Sequence, residues 1–178
     1  PETQRESAIG TVASMHDTVA RADAPRLKAE LPFVGGPRFQ GFVRPVSPPM
    51  FVIRKHTPRV ITLEEHVRHE TVTKAQAVTL IEAIRQRQNI LIVGATLSGK
   101  TVLADSLMDT MTAVFGRGLR LVVIEDTYEL HVTAPNAVHL HTSDTVSLRT
   151  LVQDSLRLRP DRIIVGEVRG AEALDLIK

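Results

Sequence analysis

The segment from Gly94 to Thr101 has residue types and spacing that could bind phosphate. It reads GATLSGKT and fits the pattern G-x-x-x-x-G-K-[ST]. Glycines let such a loop curl so that its N–H groups point at phosphate oxygens; Lys100 would reach the β and γ phosphates and Thr101 would offer its hydroxyl to Mg²⁺. A surface turn is the alternative. The predicted nucleotide-binding residues are Gly94, Ala95, Thr96, Leu97, Ser98, Gly99, Lys100, Thr101 and Val102.

Acidic residues follow two other apolar runs of the chain. Glu125 and Asp126 come directly after Leu119 to Ile124, and Glu167 comes after Arg162 to Val165 and a glycine. Ligands of open α/β sheets bind at the carboxyl ends of the strands, although strand ends also carry acids because they meet solvent. Together with the phosphate loop, the pattern predicts that Glu167 orients and polarises an attacking water near a Mg²⁺ site.

The elements that would position these residues alternate between helix and strand after about residue 72. Thr73 and Gln76 form a capping-box pattern before a helix that runs to about Arg87. The β-branched run from Asn89 to Val93 predicts a strand buried on both faces. Further predicted elements are a helix over 102–114, a strand over 119–124, a helix over 147–158 and a strand over 162–165. This alternation predicts an α/β fold with a mainly parallel sheet.

The first part of the chain has a different composition. Eight of its ten prolines lie within the first 58 residues, which argues against helices there. Strands are predicted around Leu27 to Phe33 and Phe39 to Val43, joined at Gly35-Gly36, and again over Met50 to Lys55. We therefore predict two domains, residues 1–72 including a linker and residues 73–178.

Composition excludes several classes of function. The 178 residues are 43% hydrophobic and 24% charged, which is typical of a globular chain. With no cysteine, the chain has no disulfide framework, thiol nucleophile or cysteine-ligated zinc. The segment from Arg21 to Arg59 is basic, but five Phe, one Tyr and no Trp offer few stacking surfaces, so direct binding of nucleic acid is disfavoured.

Two histidine pairs could also share a face and hold a metal. His66 and His69 are three residues apart in a predicted helix, and His139 and His141 are two apart in a predicted strand. Neither pair has a convincing third ligand nearby in the sequence. Solvated or hydrogen-bonded histidine is the commoner case, and it is the interpretation we favour.

Several segments together make the sequence similar to a known family. Besides the GATLSGKT loop they are IEDTYEL (124–130), LRPDRIIVGEVRG (158–170), RFQGF (38–42) and FVIRK (51–55). From about Val12 to Lys178 the chain resembles TrbB-type conjugative-transfer ATPases, within the wider family of hexameric traffic ATPases of type IV secretion and type IV pili. In that family the first three segments are the Walker A loop, the Asp box and the Walker B region.

The resemblance implies a RecA-like P-loop motor domain, incomplete at its C-terminus, preceded by a smaller α/β domain. It implies a hexameric ring that binds ATP and Mg²⁺ between the domains. It also implies a cytoplasmic location, peripheral to the inner membrane, and partners among the inner-membrane components of secretion or conjugation. Glu167 corresponds to the Walker B glutamate, and Glu125, Asp126 and Glu129 act around Mg²⁺ and water. The expected catalytic residues are therefore Glu167, Glu125 and Arg54, and the expected metal residues are Thr101 and Asp126, with Asp126 acting through water. Arginines expected near the phosphates are Arg54 and, with a weaker match, Arg44; those expected to sense charge are Arg157, Arg159 and Arg169.

The sequence departs from the family pattern at two points. Leu97 stands where the family's loop usually has glycine, which predicts backbone strain if that position needs a positive φ. The chain stops at Lys178, just before the family's His box, so we expect it to be incomplete there and clipped at its start.

Two alternative functions remain. One is a pilus assembly or retraction ATPase, and the other is a nucleotide-binding fragment without turnover. The sequence specifies neither the cargo nor the preferred nucleotide.

Overall fold

The chain divides into two compact units, Pro1–Pro58 and Arg59–Lys178. The structure is a computed structural model that describes residues 1–32, 36–55, 59–143 and 145–168. The elements of the first unit are α1 (Glu2–Met15), β1 (Arg26–Glu30), β2 (Arg38–Phe42) and β3 (Met50–Arg54). The three strands form an antiparallel sheet in the order β1-β2-β3. The sequence predicted the three strands and the pairing of the first two, but not the pairing of β3 with β2.

Helix α1 was not predicted, and the argument from proline against helices in this region is wrong for residues 2–15. The sequence between Pro1 and Pro25 contains no proline, and Pro1 stands at the N-cap, where proline removes no helical hydrogen bond. The helix buries Ile9 and Ala13 against Leu27 and Phe39 of the sheet, and Ile9 is fully buried. Packing against the sheet therefore stabilises a helix that has almost no amphipathic pattern of its own.

The second unit is an α/β layer structure. Its elements are α2 (Leu63–Arg68), α3 (Lys74–Arg85), α4 (Lys100–Phe115), β4 (Leu121–Glu125), β5 (Ala137–His141), α5 (Leu148–Ser155) and β6 (Arg162–Val165). A single 3₁₀ turn, Leu156–Leu158, follows α5. The strands form a parallel sheet in the order β5-β4-β6, so the predicted fold class of a parallel α/β sheet is confirmed.

Strand β4 is the centre of this unit, and all five of its residues are buried. Leu121 and Val123 pack on the side of α3 and α4, together with Ile84 and Met108. The alternate residues, Val122 and Ile124, pack on the other side against α5. Helices therefore cover both faces of the sheet, which is the arrangement that right-handed crossovers between parallel strands produce.

The prediction of a strand buried on both faces over Asn89–Val93 is wrong. No strand of the described part of the chain pairs with this segment. Ile90 and Ile92 pack on the core beside α4, but Leu91 and Val93 are 81% and 82% exposed. A β-branched run indicates an extended backbone with an apolar face, and the segment has both, but the run does not specify which strands will flank it.

The division between the units falls before α2, whereas the sequence placed a boundary near residue 72. Leu63 and Val72 pack with Ala77 of α3, so the segment assigned to a linker belongs to the core of the second unit. Capping boxes begin both helices: Thr62 with Glu65 at α2, and the predicted Thr73 with Gln76 at α3.

Arg120 ties together the connections at the amino end of the second sheet. Its Nε donates to the carbonyl of Leu158 at 2.7 Å and its Nη1 donates to the Asn136 side-chain oxygen at 3.0 Å. Its backbone N–H donates to a carboxylate oxygen of Asp161 at 2.9 Å. The side chain and the backbone N–H of Arg120 therefore connect the segments that lead into β4, β5 and β6. No helix among the described residues has the length and apolar character needed to span a membrane.

Candidate functional site

The Gly94–Thr101 loop joins the extended segment Asn89–Val93 to the start of α4. Gly99 is the N-cap of α4 and has a φ of +89°, a conformation that favours glycine. Gly94 is required for a different reason, because a Cβ there would lie 2.6 Å from the Ser98 hydroxyl oxygen. Both glycines of the predicted pattern therefore have a structural cause, and the loop ends at the positive end of a 16-residue helix.

Leu97 adopts a positive φ of +64°, which is the condition under which the sequence predicted strain. Its side chain is 86% exposed, so burial of the leucine does not offset this cost. For a residue with a Cβ the left-handed region costs on the order of 1–2 kcal/mol. The backbone follows the path that glycine would take, although the residue is leucine.

Lys100 is the first residue of α4, and its side chain folds over the loop. The ammonium Nζ donates hydrogen bonds to the carbonyl oxygens of Gly94 at 2.9 Å and of Ala95 at 2.7 Å. The next residue, Thr101, donates its hydroxyl hydrogen to a carboxylate oxygen of Glu129 at 3.4 Å. The cation therefore lies on the concave side of the loop, and a hydroxyl–carboxylate pair lies beside it.

Glu125 ends β4 and is buried, with 2% of its surface exposed. Its Oε1 accepts hydrogen bonds from the backbone N–H groups of Glu129 at 2.9 Å and Leu130 at 3.0 Å. Its Oε2 is buried without a hydrogen-bond partner among the described residues. Burial raises the pKa of this carboxyl group, and the two backbone hydrogen bonds oppose that shift. Glu125 therefore fixes the following loop, and with it the carboxylate of Glu129.

The carboxyl ends of β4 and β6 lie side by side, since Ile124 is paired in register with Val165. Gly166 allows this approach, because a Cβ on it would come within 2.9 Å of the Glu125 side chain. Glu167 follows at the same edge of the sheet and is exposed. Asp126 is also exposed, and its Oδ1 accepts a hydrogen bond from the Thr142 hydroxyl at 2.5 Å. The acid that meets Thr101 is thus Glu129, whereas the sequence singled out Asp126 for the metal.

Asp105 was not identified from the sequence. It lies on α4 one turn beyond Thr101 and is 4% exposed. Its Oδ1 accepts the backbone N–H of His131 at 2.9 Å, and its Oδ2 lies 3.5 Å from Nδ1 of the same histidine. Burial raises the pKa of Asp105 to about 6, with a smaller contribution from the charge of Glu125. Asp105 is four residues after Thr101, so the two lie on the same face of the helix. This spacing is the sequence feature that could have identified Asp105 as part of the site.

The arginines assigned by resemblance are distributed over both units. Arg54 ends β3 in the first unit, and Arg44 forms a 3.3 Å ion pair with Glu2 in the same unit. In the second unit Arg157 forms a 2.8 Å ion pair with Asp154. Arg159 has a φ of +53° after the 3₁₀ turn, and Arg169 lies outside the described residues.

The structure also shows where the two histidine pairs lie and which groups surround them. His66 lies on α2 and its Nδ1 contacts the Thr71 hydroxyl oxygen at 2.8 Å, while His69 is the C-cap residue of the same helix. His139 and His141 lie on β5, as predicted, and the Tyr128 ring packs against His141. Within the described ranges, no group of three or more histidine and acidic side chains could hold a metal ion.

The oxygen atoms of Thr101 and Glu129 nevertheless suit one kind of ion. Mg²⁺ prefers hard oxygen ligands, uses one or two protein groups, and takes its other ligands from water and substrate phosphates. The hydroxyl of Thr101 and the carboxylate of Glu129, close to the start of α4, match this preference. The residues present therefore fit Mg²⁺ bound together with a nucleotide.

Comparisons with known proteins agree with this geometry. A family model described as type II/IV secretion system protein matches residues 37–178. The conjugal transfer protein TrbB of Rhizobium radiobacter is 46% identical over 174 residues, which is 97% of this chain and 53% of that protein. The type IV secretion system protein VirB11 of Bartonella quintana is 36% identical over 124 residues, covering 64% of this chain and 34% of that protein.

A solved structure gives the same relationship. The crystal structure of the VirB11 ATPase from the Brucella suis type IV secretion system, in complex with sulphate, superposes with a TM-score of 0.53 at 29% identity. The match covers 94% of this chain and 56% of that one. The chain therefore spans about half the length of this TrbB protein and of this VirB11 ATPase.

Proposed function

Because the chain belongs to the family of type II/IV secretion system proteins, we propose that it is an ATP-hydrolysing motor subunit that energises conjugative transfer or type IV secretion. The observation that carries the proposal is the arrangement at the start of α4. Lys100 lies over a loop built around Gly94 and Gly99, and the acids that end β4 and follow β6 lie at one edge of the parallel sheet.

The loop binds the phosphates of ATP through groups that already converge on it. Lys100 exchanges the carbonyl oxygens of Gly94 and Ala95 for the β and γ phosphate oxygens, which form stronger, charge-assisted hydrogen bonds. The first N–H groups of α4, unpaired within the helix, point toward the same position and add the positive end of its dipole. These interactions explain why glycine is needed where backbone and phosphate approach closely.

Thr101 and Glu129 would hold Mg²⁺ through their oxygen atoms, and Asp126 would contribute through water. When bound, the ion neutralises charge on the phosphates during transfer. Glu125 is the positioning residue of this group, because its Oε1 holds the backbone of Glu129 and Leu130. The Glu125 side chain also lies close to Gly166, so it packs against the backbone that follows β6.

Glu167 acts on the attacking water. It follows β6 at the carboxyl edge of the sheet, next to the end of β4, which is the edge where ligands of open α/β sheets bind. A carboxylate there orients the water and accepts its proton as the γ-phosphoryl group is transferred. By resemblance to the family alone, Arg54 and, with a weaker match, Arg44 are the arginines that we propose as phosphate ligands.

The working enzyme is a ring, which we propose to be a hexamer. It lies in the cytoplasm at the inner membrane and contacts the membrane components of the secretion or conjugation apparatus. The support for this assembly is the similarity to TrbB and to the VirB11 ATPase. The name of the TrbB relative favours conjugative transfer over pilus assembly or retraction. A nucleotide-binding fragment without turnover is the second candidate, because the chain spans about half of these relatives.

The first test replaces Lys100. Lys100→Ala removes the charge-assisted contact to phosphate and should abolish ATP binding measured by titration calorimetry with Mg²⁺. Lys74→Ala is the matched control, since Lys74 is also the first residue of a helix in the same unit and is exposed. Unchanged ATP affinity in Lys100→Ala would overturn the assignment of the loop.

A further inference from the structure

Two buried carboxylates hold the segment that follows β4. Oε1 of Glu125 accepts hydrogen bonds from the backbone N–H groups of Glu129 and Leu130. Oδ1 of Asp105 accepts the next N–H along the chain, that of His131, at 2.9 Å. These three donors lie outside any helix or strand, so no regular ladder pairs them, and side-chain carboxylates supply the acceptors that buried backbone groups need. The path of the chain through Glu129 therefore depends on Glu125 and Asp105 together.

Asp105 provides this constraint from α4, which is also the helix that carries Thr101. The two residues are four apart and lie on one face of the helix. The Thr101 hydroxyl meets the Glu129 carboxylate at 3.4 Å, which is long for a hydrogen bond between oxygens, so this contact alone holds the carboxylate weakly. The bond from His131 to Asp105 is shorter, and bonds to an ionised acceptor are about twice as strong as neutral ones. Helix α4 therefore holds the backbone near Glu129 more firmly than it holds the Glu129 side chain.

Both carboxylate oxygens of Asp105 face the same residue. Besides the backbone bond to Oδ1, Oδ2 lies 3.5 Å from Nδ1 of the His131 ring. Asp105 is buried, and this burial raises its pKa to about 6, which shows that a charge here is unfavourable for the fold itself. An apolar side chain would pack on α4 without that cost. A carboxylate at this position therefore indicates a role in placing the residues around His131 rather than in packing the helix.

We propose that Asp105 is a positioning residue of the metal site: by holding the backbone N–H of His131 against α4, it keeps the Glu129 carboxylate beside Thr101 for Mg²⁺. The proposal rests on the proposed function, since it takes Thr101 and Glu129 to bind the ion together with nucleotide phosphates. It gives a part in this binding to a residue outside the GATLSGKT, IEDTYEL and LRPDRIIVGEVRG segments. Groups that orient a metal ligand without touching the metal typically contribute 10–100-fold to metal affinity.

The experiment measures the affinity of the whole 178-residue chain for ATP by titration calorimetry at pH 7.5, once with Mg²⁺ and once with EDTA. The magnesium ratio is the first affinity divided by the second. Asp105→Ala removes the acceptor and should lower the magnesium ratio about tenfold, while the affinity measured in EDTA changes by less than about twofold. Asp105→Asn should keep the ratio within about twofold of the wild type, because its amide oxygen still accepts the N–H of His131.

Asp109→Ala is the matched control. Asp109 lies one turn further along α4 and also contacts the segment after β4, where it accepts a hydrogen bond from the Thr133 hydroxyl at 3.1 Å. Its loss removes a contact between the same helix and the same segment but leaves the N–H of His131 paired. The magnesium ratio of Asp109→Ala should therefore equal that of the wild type.

A second variant keeps the test valid if Asp105→Ala does not fold. Asp105→Leu fills the buried position with an apolar side chain of similar length and removes the acceptor, so it should lower the magnesium ratio as Asp105→Ala does. Circular dichroism checks the fold of each variant. Amide hydrogen exchange at His131 provides a readout without nucleotide, and it should be faster in Asp105→Ala and Asp105→Leu than in the wild type and Asp105→Asn.

The two proposals fail in different ways. An unchanged magnesium ratio in a folded variant without the acceptor would overturn the positioning role, and so would equal losses of affinity with and without Mg²⁺, or a loss in Asp105→Asn as large as in Asp105→Ala. A wild-type chain that binds ATP equally well in both conditions would overturn the metal site and leave the phosphate loop intact. A wild-type chain that binds no ATP in either condition would overturn the proposed function itself.

Discussion

Individual side chains of the site divide into those that the sequence identified and those that required the fold. Lys100 and Thr101 are recognisable because their function depends on a local spacing that a one-dimensional pattern records. Asp105 was missed because its partner, His131, is 26 residues away on another segment of the chain. For His66 a hydrogen bond was among the expected outcomes, but the sequence did not identify Thr71 as the partner. The sequence also could not specify that Glu129, rather than Asp126, meets Thr101.

Leu97→Gly should stabilise the chain. Relief of the strained φ gains on the order of 1–2 kcal/mol, and the added flexibility of glycine in the unfolded chain costs about 0.5–1 kcal/mol. The free energy of unfolding in urea should rise by up to about 1 kcal/mol, with tighter ATP binding. Leu156→Gly is the control, because Leu156 is 66% exposed but has a φ of −61°. Destabilisation by both substitutions would contradict this account of Leu97.

Glu167→Gln should separate binding from hydrolysis. The amide keeps the size of the carboxylate but cannot accept a proton from water, so ATP affinity should stay within a few-fold while the rate falls by orders of magnitude. Phosphate release is measured in a protein extended to the relatives' length, beside the same measurement for Glu64→Gln, an exposed acid on α2. Equal losses of affinity and rate would instead make Glu167 a structural or metal-binding residue.

Secondary-structure elements were predictable where their signals are local. The capping box at Thr73 and Gln76, the helix after the loop and the strand Arg162–Val165 were found because each signal lies within the element. Two predictions were wrong because the deciding interactions lie outside the element: a strand was predicted over Asn89–Val93, and α1 was not predicted. A strand needs partners elsewhere in the chain, and α1 is stabilised by the sheet beneath it, so neither is specified by its own residues.

The contact between α4 and the loop after β4 should depend on pH through Asp105. Its pKa is raised to about 6 in the folded protein, so the folded state binds more protons than the unfolded state between about pH 4 and pH 6. Stability should therefore fall as pH rises through this window. Glu125, whose pKa is also raised, changes stability in the same direction.

Asp105→Asn tests this dependence, because the amide oxygen can still accept from the N–H of His131 but cannot ionise. Urea unfolding at pH 5.0, 6.0 and 7.5 should show the variant more stable than the wild type at pH 7.5, with the difference narrowing at pH 5.0. Asp109→Asn on the same helix is the control, since Asp109 accepts an exposed hydrogen bond from Thr133. An equal pH slope in wild type and Asp105→Asn would contradict the assignment.

At the scale of the whole molecule, the chain contains the proposed phosphate-binding groups and spans about half the length of the TrbB relative. Among the described residues β6 pairs with β4 alone, and the Asn89–Val93 segment pairs with no strand. We expect the 178-residue chain to bind ATP weakly, to form no stable hexamer and to hydrolyse ATP negligibly. Arginines supplied in trans by a neighbouring subunit can be worth about 10³ or more in rate.

A version extended to the relatives' length should bind ATP tightly, assemble and hydrolyse. Mass measurements of both versions with and without ATP and Mg²⁺, together with phosphate release, check the prediction. A hexamer with robust turnover from the 178-residue chain would show that the additional length is dispensable.

The position of Arg120 shows that structural support and the proposed chemistry lie at opposite ends of one sheet. It anchors the segments entering the three strands at their amino ends, whereas every proposed catalytic group of the second unit lies at their carboxyl ends or at the start of α4. Substitutions around Arg120 change how firmly the sheet is held without altering the chemistry at its opposite edge. The loops at the carboxyl ends can therefore change in sequence, and with it the turnover rate or the partner protein, while the amino end is kept. Stabilising substitutions at the amino end should have little effect on turnover.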